Sequence, residues 1–298
     1  MAKKLRLDTH AKRNRLTLKS GFLLLVLLPL LACHQEQENQ PPADISLRVA
    51  HLHDYAWQDR NQSGQPVDLK PEAERQALLR DLNHIPGDLL ILRGLGSQAS
   101  LVHLQNALKE SGQDYPQLFY IPGPNVYQGI GFLSTRPFSE TRKLNSETFR
   151  IKEKNYQPLA GGVLLSTRTF PALWIWNQQA PSPEEPYERR RNDARIMAQT
   201  LRPLIQSGAE VILTLYSREE FDSPMFRLLE EAGLRRLILE DARGDSWTFR
   251  DPQGILYRQD QWVFATPKVH DAIIKAQVFD SKDLRQAGPY RHQGMKLP

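Results

Sequence analysis

The chain has 298 residues, with 39 Lys and Arg against 34 Asp and Glu and a formal charge of +5. That excess is local: Lys3, Lys4, Arg6, Lys12, Arg13, Arg15 and Lys19 stand at the N-terminus beside one acid, Asp8. Without residues 1–32 those seven bases and that acid are gone, leaving 32 basic and 33 acidic residues, a formal charge of −1, which excludes the global basic field of a general nucleic-acid binder. The single Cys excludes an intrachain disulfide.

Behind the basic segment, GFLLLVLLPLLA (Gly21–Ala32) is apolar but shorter than the roughly 20 residues a bilayer span requires. A basic segment, a short apolar run and a small residue at its end predict a secretory signal. Leu30-Leu31-Ala32-Cys33 resembles the lipobox of bacterial lipoproteins, which implies cleavage before Cys33 and lipid on its thiol. The chain is then expected in the bacterial cell envelope, with the membrane as its partner through Cys33. His34, rather than Asp, in the next position implies the outer membrane, with the protein facing the periplasm. QEQENQPPAD (35–44) is polar and Pro-containing and reads as a tether. The predicted organisation is a lipoprotein signal peptide over 1–32, lipidated Cys and tether over 33–44, and one domain over 45–298.

Along that domain, short runs rich in Val, Ile, Leu, Phe or Trp and bounded by turn residues predict strands. They are Ile45–Leu52, Asp88–Gly94, Gln117–Ile121, Ile130–Ser134, Gly162–Ser166, Ala172–Asn177, Glu210–Tyr216, Ser246–Phe249, Gln261–Ala265 and Ala272–Phe279. Helices are predicted over Pro71–His84, over Ser100–Ser111 with Ser100 as cap and Gly112 as stop, over Tyr187–Ser207, and over Ser223–Gly233. Trp174 and Trp176, two apart, are expected in core or rim packing. Strands in two sets with helices between them predict an α+β class.

The blocks then fall in a familiar order. PGDLLILRGLGS resembles the P-D-x-x-x-L-Q-E motif of the endonuclease/exonuclease/phosphatase superfamily, and IGFLSTRPF its G-x-x-x-L-S-R-x-P-I turn. WIWNQQAPS resembles N-x-H-L-x-S, AEVILTLYS stands where V-I-L-x-G-D-F-N would fall, YRQDQWVFATP resembles R-I-D-Y-I-L-V-S-P, and PYRHQGM resembles P-S-D-H-x-P-V. The ordered set covers nearly all of 45–298. It implies a four-layer α/β/β/α sandwich, two packed mixed sheets flanked by helices. It also implies a metal-dependent phosphodiesterase or phosphatase, in which a carboxylate holds Mg²⁺ and further Asp, Asn and His groups position water and phosphate.

Residue by residue, that chemistry is missing. The first-strand Asn corresponds to His53, the metal-binding Glu to Gly94, the His of N-x-H to Gln179, Asp and Asn of G-D-F-N to Tyr216 and Arg218, and Asp of S-D-H to Arg291. Asp260 and His292 remain as a residual pair that the resemblance implies is hydrogen-bonded; without a metal it reads either as catalytic remnant or as structural ion pair. Mg²⁺ needs hard oxygen ligands, and Asp54 is the weak candidate for one. His51 and His53, two apart on one strand face, lack an evident third ligand.

His53, Gln179, Arg218, Arg291 and His292 are therefore candidates for a pocket that holds an anion by charge-assisted hydrogen bonds, the alternative being drift after loss of catalysis. The interleaved run ERRRNDAR (Glu188–Arg195) reads as a solvated helix face. The expectation is a lipid-anchored, non-catalytic binding or scaffold protein for an anionic or phosphorylated ligand or an envelope protein, with no cofactor. The alternative is a divergent metal-dependent phosphodiesterase, phosphatase or nuclease, which would need Mg²⁺ and a site rebuilt from His53, Asp54, Asp260 and His292.

Overall fold

Hydrophobic alternation along the strands sets the layers, because successive side chains of a strand face opposite sides of its sheet. The computed structural model describes residues 44–55, 69–84, 86–124, 127–144, 148–250, 253, 255–279 and 291–298, the side chains of His53 and Asp54 excepted. The expected signal peptide, Cys33 and nearly all of the tether lie outside the described residues.

In chain order the elements are β1 (Ile45–Tyr55), α1 (Glu72–His84), β2 (Leu89–Leu95), α2 (Gln98–Glu110), β3 (Gln117–Ile121), β4 (Gly129–Ser134), β5 (Glu140–Lys143), β6 (Phe149–Ile151), β7 (Lys154–Tyr156) and β8 (Leu159–Leu165). They continue with β9 (Leu173–Gln179), α3 (Tyr187–Gln206), β10 (Glu210–Tyr216), α4 (Pro224–Glu231), β11 (Arg235–Leu237), β12 (Phe249–Arg250), β13 (Tyr257–Arg258), β14 (Gln261–Ala265), α5 (Pro267–Ala272), β15 (Lys275–Phe279) and β16 (His292–Leu297). One six-stranded sheet has the order β15-β16-β1-β2-β4-β3 and the other β11-β14-β10-β9-β8-β5. Both are mixed: β1 and β2 are parallel, as are β9 and β10, and the remaining pairs within the two sheets are antiparallel.

The inner faces meet in one core, where Leu47, Val49, Ile91 and Phe132 of the first sheet share a cluster with Ile175, Ile212 and Val263 of the second. On the outer face of the first sheet, Leu52, Leu90 and Leu92 pack with Leu78 and Leu82 of α1 and Leu101 and Leu104 of α2. On the outer face of the second, Trp174, Trp176 and Leu213 pack with Met197 and Leu201 of α3 and Phe226 of α4. This is the expected four-layer α/β/β/α sandwich.

Three local differences have physical reasons. The cap of α2 is Ser97 rather than Ser100: the Ser97 hydroxyl accepts from the Ser100 amide at 3.1 Å. The run Ala272–Phe279, read as one strand, follows Pro267, whose fixed φ favours a first helical turn, so α5 precedes a shorter β15. β16, not predicted at all, carries few β-branched residues. It forms because Gly294 leaves room for the Phe279 ring of β15, which a Cβ there would meet at 2.4 Å.

Candidate ligand-binding cleft

At one end of the inter-sheet core the inward-facing positions turn polar. After Val49 the next inward residue of β1 is His51, and after Ile91 of β2 it is Arg93; the two stand side by side in register. In the second sheet Ile175 is followed by Asn177 and Gln179, and Ile212 by Thr214 and Tyr216. The antiparallel β14 and β16 add Gln261, opposite Tyr216, and Gln293, opposite Val49. Above this polar end lies a cleft of ≈ 530 Å³, lined among others by His51, Gln179, Tyr216 and Arg218 at strand ends and by Arg189 and Asp193 of α3.

Arg93, paired in register with the cleft-lining His51, has no solvent exposure and does not itself line the cleft. Its Nε donates to Asn177 Oδ1 at 3.1 Å, and Asn177 Nδ2 donates to Thr214 Oγ1 at 2.9 Å. Neither Nη1 nor Nη2 has a hydrogen-bond partner among the described residues. Burial pulls the guanidinium pKa down to about 9, against the opposing influence of Tyr216. The Tyr216 ring, 6.0 Å from Arg93 Cζ and 5.2 Å from the His51 ring, stands between this group and the open cleft.

The neighbour of Arg93 explains how the backbone came to this arrangement. Gly94 has φ +78°, and the register of β2 shifts between Arg93 and Leu95 against β4. A glycine in the left-handed region at a bulge re-aims the strand. Where the resemblance calls for a metal-binding Glu, the chain thus has a conformation that disfavours any side chain.

The Mg²⁺ implied by the resemblance does not fit these residues. Gly94 and Tyr216 replace the expected carboxylates, a buried guanidinium lies beside them, and no group of three His, Cys, Asp or Glu among the described residues could hold a metal ion. The side chain of Asp54, the weak ligand candidate, lies outside the described residues, as does that of His53. His51, two residues earlier, lines the cleft.

The other expected positions divide. Gln179 and Arg218 line the cleft, and Arg218 Nη2 holds Glu184 Oε1 at 3.0 Å. Arg291 does not line it: its Nη2 binds Asp241 Oδ2 at 2.7 Å, Nη1 donates to Trp247 O at 3.1 Å, and the guanidinium lies 4.1 Å from the Trp247 ring centroid. It braces the loop before β12. The Asp260–His292 bond implied by the resemblance is also replaced. Asp260 is clasped by Arg258 through two bonds of 3.2 Å, and burial raises its pKa against that attraction. His292 falls on the outer face of the first sheet, because Gln293 takes the inner one. There Arg48 Nη2 lies 2.9 Å from His292 Nδ1, while the same guanidinium donates to the Leu82 and Asp81 carbonyls at 2.7 and 2.6 Å. Since Arg can only donate, Nδ1 accepts and the ring proton sits on Nε2. Burial, with Arg48 and His51, holds the His292 pKa well below 6.5, so the ring is neutral at pH 7.

Two buried charged groups near the polar end, of which Asp193 lines the cleft, escaped the sequence reading. Arg93 hid beside Gly94, which drew attention as a lost Glu, although Leu89, Ile91 and Arg93 share one strand face by simple alternation. Asp193 sat in a helix read as a solvated face. It is 2% exposed, accepts from Gln178 Nε2 at 2.6 Å, and is pushed by burial to a pKa of about 7. Helical spacing with the buried Ala194, Met197 and Leu201 was the available signal.

The sandwich and its cleft define the class: the chain has the fold of the endonuclease/exonuclease/phosphatase superfamily. No protein-family model matches the sequence, and no curated protein does. Among solved structures, an endonuclease/exonuclease/phosphatase family protein from Leptotrichia buccalis is similar with a TM-score of 0.62 at 11% identity, over 85% of this chain and 99% of that one. A 3'-5' exonuclease from Neisseria meningitidis is similar with a TM-score of 0.61 at 11% identity over the same shares. A mannosyl-6-phosphatase from Bacteroides thetaiotaomicron is similar with a TM-score of 0.57 at 13% identity, over 85% and 98%. At such identities the likeness carries the fold and leaves the chemistry to this chain's own residues.

Proposed function

We propose that this protein is a non-catalytic, anion-binding member of a hydrolase-like fold, held in the bacterial cell envelope by lipid on Cys33, at the outer membrane and facing the periplasm. One observation carries the reading. The position beside Gly94, where a hydrolase of this fold would gather a divalent cation, holds the buried guanidinium of Arg93. A fixed positive charge repels a metal and attracts what the metal would have attracted. Catalysis of phosphate-ester hydrolysis needs positive charge together with a positioned, activated water; only the charge is supplied here. His292, neutral and bound to Arg48 on the outer face, is in no position to activate water at the cleft. No general nucleic-acid binding is expected from a formal charge of −1 outside residues 1–32.

The test combines two measurements. Purified protein with Mg²⁺ or Mn²⁺ is expected to leave generic phosphodiesters and phosphomonoesters intact. Metal-dependent turnover abolished by Arg93→Met or Asp193→Asn would replace this reading with that of a divergent phosphodiesterase or phosphatase. Expressed in bacteria, wild type is expected in the membrane fraction with a lipid-shifted mass, and Cys33→Ala in the soluble fraction. Equal partition of both would remove the anchor.

A further inference from the structure

We infer that one side of this domain, running along the edge strands β11 and β15 to the β12–β13 hairpin, lies on the lipid bilayer that carries its own anchor. This rests on the lipid at Cys33 in the proposed function and adds to it the face of the domain that meets the membrane.

Large apolar side chains scattered singly over a surface are ordinary, whereas their clustering marks a place of interaction. Nine large hydrophobic side chains are exposed among the described residues, and six of them, Phe221, Ile238, Ile255, Leu256, Tyr257 and Ile274, fall on this one side. Ile238 follows β11, the edge strand of the second sheet, and Ile274 precedes β15, the edge strand of the first. The Glu240 carbonyl accepts from the Val278 amide at 3.1 Å, which joins the two edges. Phe221 stands beside β11, its ring centroid 4.0 Å from Arg236 Cζ. Tyr257 of the hairpin packs edge-on against Trp247 at 5.0 Å. The Trp247 carbonyl is held by Arg291, whose neighbour His292 pairs with Phe279 at the far end of β15. Ile255, just before β13, is 82% exposed, more than any other large apolar side chain described.

The place where the tether enters decides the occupant. Asp44, where the described residues begin, binds Lys296 of β16 at 2.9 Å. Lys296 pairs with Lys275 of β15, and its carbonyl accepts from the Ile274 amide at 3.0 Å. The tether thus joins the domain at one end of the apolar side. Cys33 lies eleven residues before Asp44, a reach of at most about 40 Å. β15, which runs from Ile274 toward the hairpin, has five residues and spans about 17 Å. Both ends of the side are therefore within reach of a bilayer at the anchor, and the anchor turns a weak apolar contact into an intramolecular one. Charge is answered locally: Arg235 meets Asp271 at 3.4 Å and Arg243 meets Asp241 at 2.9 Å. That leaves the contact to the apolar groups. Ile and Leu beside Tyr and Trp, with Lys and Arg stems reaching to water around them, is the chemistry of a face that rests in the headgroup layer.

Cys33 is the single Cys, so once it carries lipid an introduced thiol is the one site for a fluorescent label. Full-length protein bearing Ile255→Cys, Ile274→Cys or Lys109→Cys is labelled and reconstituted into phosphatidylethanolamine–phosphatidylcholine vesicles that contain a nitroxide lipid as quencher. Lys109 is the control: it is exposed on α2, which packs toward β3 at the opposite edge of the first sheet. Labels at 255 and 274 are expected to be quenched and the label at 109 not, and high salt should change none of the three. Adding Ile255→Asp and Leu256→Asp, both at exposed positions, should abolish quenching at 274 while the melt stays that of wild type. Equal quenching at all three positions, no quenching at 255 and 274, or its loss in high salt overturns the assignment. Unquenched labels together with a dimer mass in light scattering overturn it in favour of a second copy on this side. The parent protein, with no introduced thiol, takes up label only if Cys33 lacks lipid, so a failed anchor is seen apart from a failed face. In that case quenching in excess of the parent's decides the face by itself.

Discussion

At the scale of single residues, this cleft places charge where packing alone would not. Arg93 could be replaced by a similarly long apolar side chain without removing a salt bridge, because it forms none among the described residues. Replacing buried ionic groups by apolar ones of similar volume is often neutral or stabilising by about 1–4 kcal/mol. Arg93→Met is therefore expected to raise stability in chemical denaturation without ligand, and a clear loss would mean that the guanidinium is compensated in the free protein. Asp193 makes a different prediction. Burial raises its pKa from 3.8 to about 7, so between those values the folded state binds more protons than the unfolded one. Stability contributed at this position thus falls as pH rises from about 4 to about 7 and is level above. Denaturation midpoints measured across that range should show the decline, and Asp193→Asn, which keeps an acceptor for Gln178, should flatten it. An unchanged profile in the variant would place the titration elsewhere.

At the scale of elements, the turning point is the β2 bulge. Glu at position 94 would have to adopt φ near +78°, a region that costs a residue with a Cβ roughly 1–2 kcal/mol. Gly94→Glu is accordingly expected to lower stability by about that amount and to leave the protein without Mg²⁺ affinity, since one added carboxylate would stand next to the buried cation of Arg93. Calorimetry with Mg²⁺ and a melt of the variant read both; restored metal binding would show that the bulge is incidental. The elements themselves were legible to very different degrees. β3, β10 and β14 match their apolar runs residue for residue, because Gln117–Ile121, Glu210–Tyr216 and Gln261–Ala265 are dense in large apolar and aromatic side chains. β16 was invisible, since HQGMKL owes its pairing to neighbours on both sides rather than to its own composition. That gap carried over to the site. Without β16 there was no alternation to separate Gln293, facing in, from His292, facing out, so His292 was expected in the cleft. Ordered motif blocks located the strand ends but not which way each side chain points, and one residue of register exchanges the faces.

At the scale of the whole molecule, the two sheets and their helix layers act as one support for the cleft, and ligand binding is linked to their unfolding. Anything that binds the folded state alone stabilises it by RT ln(1 + [L]/Kd), about 2.7 kcal/mol at a hundredfold excess over Kd. For a domain of this length that corresponds to a rise of about 5–10 °C in Tm. The sign of the charge at the cleft base decides which ion produces the rise. A hydrolase site of carboxylates would be stabilised by millimolar Mg²⁺ and destabilised by EDTA. With Gly94 and Tyr216 in place of the expected carboxylates and the guanidinium of Arg93 buried next to Gly94, the expectation is reversed. EDTA and Mg²⁺ should each move Tm by less than about 1 °C. Thermal melts with and without each are enough. A Mg²⁺-dependent rise of several degrees would mean that a cation site survives in the cleft and that the charge of Arg93 is answered by groups outside the described residues.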